Sequence, residues 1–335
     1  MTDMDTALFM KMLATDSTSG SERPMALALA SLLKTPGNTV ETFEVGDGTL
    51  NLLLKWGEPR VWFCTHMDTV PPYIPPVAEP AEGGDVRFRG RGTCDAKGQI
   101  FSMFEACRAL EAAGETGFAL LVLAGEETGS HGAKAWDRDC PGGELVVVGE
   151  PTDNRMVSAS KGTKLFDVTL LGKPCHSGYP ECGESAVNRF CEFVDRLRGT
   201  EFPHDAVLGD VTWNIGRLVS DNPQNILSPE LRFKIYFRTT FAADAAVCGF
   251  MDSLRSDRTL VTAHGGDTPM EYFTVPGIPA CTVSFGSDAP HLGKFRRRSL
   301  CGPGSILTAH TPDEFVLLSD LEHARDNYLK IFHSL

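Results

Sequence analysis

Three short apolar runs in the first half of the chain, at 61–64, 118–124 and 145–148, are each followed at once by residues that bind metal or move protons. The first leads into Thr65-His66-Met67-Asp68, the second into Gly125-Glu126-Glu127, and the third into Gly149-Glu150-Pro151. Asp95 stands in the glycine-rich turn Gly90-Arg91-Gly92-Thr93-Cys94-Asp95-Ala96-Lys97-Gly98, and His310 lies in Ala309-His310-Thr311-Pro312 near the end. Singly, each reads as a surface carboxylate or a hydrogen-bonded loop histidine. Their recurrence at strand ends and glycine turns argues for one shared site, because open α/β sheets bind ligands at the carboxyl ends of their strands. Carboxylates gathered in one buried site repel one another and rise in pKa unless a cation neutralises them. Two His with several Asp and Glu form a nitrogen-and-oxygen donor set suited to zinc, with cobalt or manganese as substitutes.

The elements that must position these residues follow from texture. The three runs are nearly continuous and bounded by Gly or Pro, as expected for parallel strands buried on both faces. Helical spacing at Ile100, Phe104, Cys107 and Leu110 predicts a helix over 100–113, giving a βαβ pattern and a doubly wound sheet. From about Gly162 the pattern changes, and 164–171 and 230–238 alternate apolar and polar residues as antiparallel strands with one solvated face do. The order strand, helix (184–197), strand (211–219), strand (231–238), helix (243–254), strand (260–263) predicts a ferredoxin-like split βαβ. A strand at 280–285 and a closing helix at 318–332 then resemble the first domain again. The expected fold is α/β: a doubly wound mixed-sheet catalytic domain over 1–160 and 268–335, with a ferredoxin-like α+β lid or dimerisation domain inserted at 161–267.

Composition narrows the partners. The 31 Lys and Arg against 44 Asp and Glu give a net charge of −13, which repels nucleic acid and anionic lipid. The run Arg296-Arg297-Arg298 is too short to overturn that and reads as a solvated loop. No apolar run approaches the roughly 18 residues of a membrane span. The first 14 residues, with Asp3 and Asp5, have neither the basic start nor the cleavage site of a signal peptide. Ten scattered cysteines without a C-x-x-C pair read as reduced thiols, so a cytoplasmic protein without disulfides is expected.

His66-Met67-Asp68-Thr69-Val70-Pro71, Gly92 to Gly98, Glu126-Glu127, Gly149-Glu150-Pro151-Thr152 and Ala309 to Glu314 resemble, in order, the motifs of a zinc-dependent family. That family contains acetylornithine deacetylase, succinyl-diaminopimelate desuccinylase, aminoacylase and glutamate carboxypeptidase. The resemblance implies two zinc ions, with Asp95 bridging them, His66 and Glu150 completing one site, and Glu127 and His310 the other. Asp68 would hold His66 in its ligating tautomer, which physical chemistry also expects of an acid beside a ligand histidine. Glu126 would be the general base. Gly172 to Gly178 resembles the family's lid motif, whose histidine, here His176, stabilises the tetrahedral oxyanion across a homodimer formed through the lid. Asn225-Ile226 and Arg238 resemble lid residues that meet substrate, Arg238 by clamping a carboxylate. Without the family, His176 reads as a loop or capping histidine and Arg238 as a strand-end arginine in a surface ion pair. Gly302-Pro303-Gly304 either presents backbone N–H groups to a bound carboxylate or makes a tight turn. Ser305 departs from the Asp usual there, and His131, His204, His264, His291, His323 and His333 read as structural.

Glu, not Asp, at position 150 resembles the deacylases and the carboxypeptidase. The motifs around it lean towards hydrolysis of an N-acyl amino acid, N-acetylornithine first. A metallo-carboxypeptidase or dipeptidase on the same scaffold is the alternative. A non-catalytic binding protein would predict damage at Glu126 or the ligands, and none is visible.

Overall fold

In the computed structural model the described residues are 4–46 and 48–335; Asp3, used above in reading the N-terminus, lies outside them. The chain divides into two compact units, one of 1–158, 272–281 and 287–335, the other of 159–271 and 282–286.

The larger unit is organised by a six-stranded mixed sheet in the order Thr39–Gly46, Thr49–Trp56, Phe118–Leu123, Val61–His66, Leu145–Val148, Arg297–Leu300. The last four strands are parallel, while Thr39–Gly46 and Thr49–Trp56 add antiparallel at one edge. Every residue of Phe118–Leu123, Val61–His66 and Leu145–Val148 is buried. Alternate side chains of a strand point to opposite faces, so uninterrupted burial means both faces are covered. Helix Lys97–Ala112 packs on two of these strands and on the closing helix Leu318–His333.

A second, three-stranded antiparallel sheet in this unit, Val77–Pro80, Val86–Arg89 and Phe315–Leu317, joins the turn that carries Asp95 to the segment that follows His310. Two expectations are corrected here. Arg297 and Arg298 lie in an edge strand of the main sheet, not in a solvated loop: Glu144 faces Arg297 (3.6 Å), whose guanidinium also sits over the Phe273 ring. The 280–285 segment forms the strand Ala280–Val283 in a sheet with Met156–Ser160 and Met270–Glu271, outside the six-stranded one. Residues 282–286 accordingly group with the smaller unit, as do 159–160 and 268–271, and not with the larger, where the expected boundaries had put them.

The smaller unit is a four-stranded antiparallel sheet in the order Thr212–Val219, Glu230–Thr239, Gly162–Leu171, Thr259–Ala263. In chain order it runs strand, helix Ala186–Arg198, strand, strand, helix Asp244–Ser253, strand, which is a split βαβ. Gly162–Leu171 and Glu230–Thr239 alternate buried and half-buried positions over most of their length, as strands with one packed face do. Phe166, Phe193, Phe233, Ile235, Phe237 and Met251 form the centre of its core. Among the described residues no helix is long and apolar enough to cross a membrane.

One buried side chain ties the edge hairpin of the large sheet to the glutamate loop. Asn51 accepts the Ala124 N–H through Oδ1 (3.1 Å) and donates through Nδ2 to the Gly132 carbonyl (2.9 Å). Asn51→Ala leaves the Ala124 N–H unpaired in the interior, at about 1 to 3 kcal/mol, and removes the side-chain donor to the Gly132 carbonyl in the first turn of helix His131–Asp139. The expected loss, read by urea denaturation, is about 1 to 3 kcal/mol; a loss below about 0.5 kcal/mol would contradict this account.

Candidate metal centre

The parallel register sets the site. His66 is paired with Leu123 and Cys64 with Val148, and the ladder continues through Met67 N–H to the Leu123 carbonyl (2.9 Å) and Gly149 N–H to the Cys64 carbonyl (2.8 Å). Glu126, Glu127 and Glu150 therefore leave their strands beside His66. Asp95 arrives on the turn before helix Lys97–Ala112; a Cβ on Gly98 would come 2.4 Å from the Thr93 carbonyl oxygen, so only glycine lets that turn close. His310 has a left-handed backbone, φ 63°, uncommon for a residue with a side chain and a form of strain that collects at functional positions.

These residues converge. Asp95 Oδ1 lies 3.1 Å from His66 Nε2, and Asp95 Oδ2 lies 3.1 Å from His310 Nε2. Glu127 Oε1 is 2.9 Å from His310 Nε2, and Glu150 Oε2 is 4.0 Å from His66 Nε2. Three overlapping donor groups result: His66 with Asp95 and Glu150, Asp95 with Glu127 and His310, and His66 with Glu126 and Glu127. Asp95 is common to the first two. His66 is 1% exposed and His310 47%, so one end of the site is dry and the other open.

Buried charge dominates the electrostatics. Burial pushes the carboxyls of Glu126 and Glu150 well above the usual range, reinforced by Asp95 and Asp288 and resisted by His66. Burial also opposes ionisation of Asp95, but its hydrogen bonds with His310 and His66 outweigh that and hold it far below the usual range. The same pairing, to Asp95 first and then Glu127, lifts His310 to about 10.

The residues present fit metal ions. Two ligands at about 2.0 to 2.1 Å from a tetrahedral zinc lie roughly 3.3 Å apart, close to the spacings between these nitrogens and oxygens. Glu150 Oε1 is buried without a hydrogen-bond partner. His66 Nδ1–H donates to the Asp68 carbonyl (3.0 Å), which leaves Nε2, the nitrogen facing Asp95, as the one a metal ion would take.

Asp68 acts mainly on backbone. Its carboxylate is 3.4 Å from His66 Nδ1, whereas Oδ1 accepts the Glu126 N–H (2.9 Å) and Oδ2 accepts the Glu127 N–H (3.2 Å) and the Ser19 hydroxyl (2.8 Å). The histidine thus leans on the Asp68 carbonyl, and the side chain holds the glutamate loop. Ser19 carries no sequence signal, nor does Asp288, a buried acid lifted to about 6 by burial. Glu314 and Arg91 lie within the sequence motifs 309–314 and 90–98, whose pattern assigns them no role.

The remaining candidates fall elsewhere. Gly302 is corrected: its N–H donates to Thr152 Oγ1 (3.0 Å), so it has none to offer a ligand, and the tight-turn reading holds there. Gly304 takes φ 76°, and its carbonyl accepts the Asp153 N–H (2.8 Å). His176, Asn225 and Arg238 belong to the smaller unit. There the Ser177 N–H donates to the Asn225 carbonyl (2.9 Å) and His176 bridges Ile226, so the two segments lie side by side. The Gly178 N–H donates to His176 Nδ1 (3.1 Å), which places the ring proton on Nε2. Arg238 has no carboxylate partner among the described residues; its guanidinium lies over the Tyr236 ring at 4.8 Å.

Fold and site together define a class: an α/β chain that gathers two imidazoles and several carboxylates at the ends of parallel strands to hold metal ions. A family model described as Peptidase family M20/M25/M40 matches residues 62–334, and the chain belongs to that family of metallopeptidases. It is 30% identical to a peptidase M20 domain-containing protein of Schizosaccharomyces pombe, over 94% of this chain and 81% of that protein. It is 31% identical to a "Probable carboxypeptidase" of Aspergillus clavatus, over 94% of this chain and 79% of the relative. Its fold is similar to a tripeptidase from Staphylococcus aureus, with a TM-score of 0.80 at 18% identity over 98% of each chain. The same holds for an M20 family metallo-carboxypeptidase from Sulfolobus solfataricus, with a TM-score of 0.73 at 15% identity over 100% of each chain.

Replacing Asp68 by Ala removes the acceptor of two loop N–H groups while sparing every metal donor. We expect zinc affinity to fall about 10- to 100-fold, as loss of an outer-shell partner does. Competition with a chromophoric chelator reads this, and unchanged affinity would contradict the role given to Asp68.

Proposed function

We propose that the protein is a two-zinc hydrolase of an amide whose nitrogen belongs to an amino acid with a free α-carboxylate, acting on short peptides as a carboxypeptidase or dipeptidase. The observation that carries this is the convergence of His66, Asp95, Glu127, Glu150 and His310, with Glu126 beside them. His66, Asp95 and Glu150 would hold one ion and Asp95, Glu127 and His310 the other. Bound there, the ions would polarise the scissile carbonyl and lower the pKa of water.

The chain's own residues supply the proton transfers. Glu126 is half-buried beside Glu127, and its raised pKa suits a base that takes a proton from water and returns it to the departing nitrogen. Adjacent side chains diverge, so Glu127 can ligate while Glu126 faces the reacting atoms. His176 would be the oxyanion donor, acting across a homodimer formed through the smaller unit; the proton on its Nε2 supports the donor role. Arg238, free of an acidic partner, is the group for the substrate carboxylate, with Asn225 beside His176 as a further contact. Unpaired cysteines accord with the cytoplasm.

Deacylation of an N-acyl amino acid breaks the same kind of bond, and the two readings differ only in what lies on the acyl side. The carboxypeptidase name of the Aspergillus relative supports a peptide there. Assaying amine release from a dipeptide and tripeptide set alongside N-acetylornithine and other N-acyl amino acids decides between them. Peptides should be turned over at higher kcat/KM; the reverse order would return the function to deacylation, and no turnover of either class would overturn the proposal.

Two variants separate chemistry from metal binding. Glu126→Gln should lower kcat by about 10²- to 10⁴-fold with zinc content unchanged. Glu127→Gln should weaken one zinc site, with partial recovery in excess zinc. If Glu126→Gln instead loses metal while Glu127→Gln keeps both ions but no activity, the roles are reversed.

A further inference from the structure

Asp68 is not the only buried acid that holds a ligand loop by its N–H groups. Glu314 does the same for Asp95. Its Oε1 accepts the N–H of Cys94 (3.1 Å) and of Asp95 (3.2 Å), and its Oε2 accepts from Arg91 Nη1 (2.6 Å). Arg91 is 3% exposed and Glu314 is fully enclosed. The same guanidinium donates from Nε to the Pro72 carbonyl and from Nη1 to the Thr311 carbonyl, each at 3.3 Å. It thereby joins the loop after His66, the loop around His310 and its own turn, on which Asp95 stands.

The fold delivers Glu314 to this position through strand register. Phe315–Leu317 pairs with Val86–Arg89, Phe315 lies opposite Arg89, and the Gly90 N–H donates to the Glu314 carbonyl (3.1 Å) one step further on. Residues 223 positions apart in sequence become neighbours.

We infer that Arg91 and Glu314 form a positioning pair that fixes the orientation of Asp95 and, through it, the separation of the two metal positions. This rests on the two-metal reading above. A buried ion pair is weak support for stability, because removing two charges from water offsets most of their attraction. What this pair does is geometric. One oxygen accepting two successive N–H groups leaves the Cys94–Asp95 backbone a single orientation. The two carboxylate oxygens of Asp95 are then aimed at His66 and His310, at 3.1 Å each. The planar fork of arginine reaches three loops at once, which a lysine ammonium does not reproduce.

The test compares wild type with Glu314→Gln and with the double variant Arg91→Met/Glu314→Leu. The double variant removes both charges together, which buried pairs tolerate far better than loss of one partner. Zinc affinities for the first and second ion are measured by chelator competition, magnetic coupling by electron paramagnetic resonance of the cobalt-loaded protein, and melting temperature on metal-free protein. In the double variant the second ion should bind about 10-fold weaker or worse. The cobalt coupling should change, and kcat should fall with KM nearly unchanged; the metal-free melting temperature should fall too, because the Cys94 and Asp95 N–H groups lose their acceptor, with the protein still folded. Glu314→Gln keeps an oxygen for the two amides and should shift the same readouts in the same direction by less. Wild-type second-ion affinity and cobalt coupling in either folded variant would overturn the inference. If wild type itself binds fewer than two ions, the two-metal reading fails first, whatever the variants show.

Discussion

Mutual repulsion among carboxylates gathered largely out of water is the constraint on which this structure turns. Asp68, Asp95, Glu150 and Asp288 are all buried, and Glu126 and Glu127 adjoin them around the imidazoles of His66 and His310. Left to itself such a cluster takes up protons, which is the direction in which burial drives Glu126 and Glu150. Cations of high charge density resolve the conflict, and the donor atoms already stand at the spacing that two shared ions require. The rest of the large unit can be understood as the scaffold that makes this crowding tolerable.

That scaffold divides the work between ligands and supports. Parallel strands fix where His66, the glutamate loop and Glu150 emerge. The three-stranded sheet brings the His310 segment to the Asp95 turn. Asp68 and Glu314 then accept backbone N–H groups, so each ligand loop is held by charge-assisted hydrogen bonds without sharing its metal donors. Asn51 gives the glutamate loop a further attachment to the edge hairpin.

Much of this was legible in the sequence because parallel strands announce themselves. A continuous apolar run ending in an acid or histidine is a local signal, and the three such runs gave His66, Glu126, Glu127 and Glu150 with nearly the observed strand limits. Alternation made the smaller unit readable in the same way. What stayed hidden is non-local or lacks a pattern. Strand Thr39–Gly46 has no buried residue within it, so it shows no core-facing period. Arg297–Leu300 is short and opens with two arginines, whose charge masks its strand character in the sequence. The Gly302 N–H is engaged by Thr152 Oγ1, a contact between residues 150 positions apart that a glycine turn does not signal. The pairing of Arg91 with Glu314 depends on strand register between distant segments, which no single-chain pattern encodes.

The central claim is that this crowded carboxylate site exists to hold two metal ions around Asp95. Elemental analysis of active protein purified without added metal, followed by anomalous scattering from its crystals, addresses it directly. The account predicts two zinc ions per chain, on either side of Asp95, with His66 and Glu150 at one and Glu127 and His310 at the other. Active protein without metal, or ions bound away from Asp95, would contradict it.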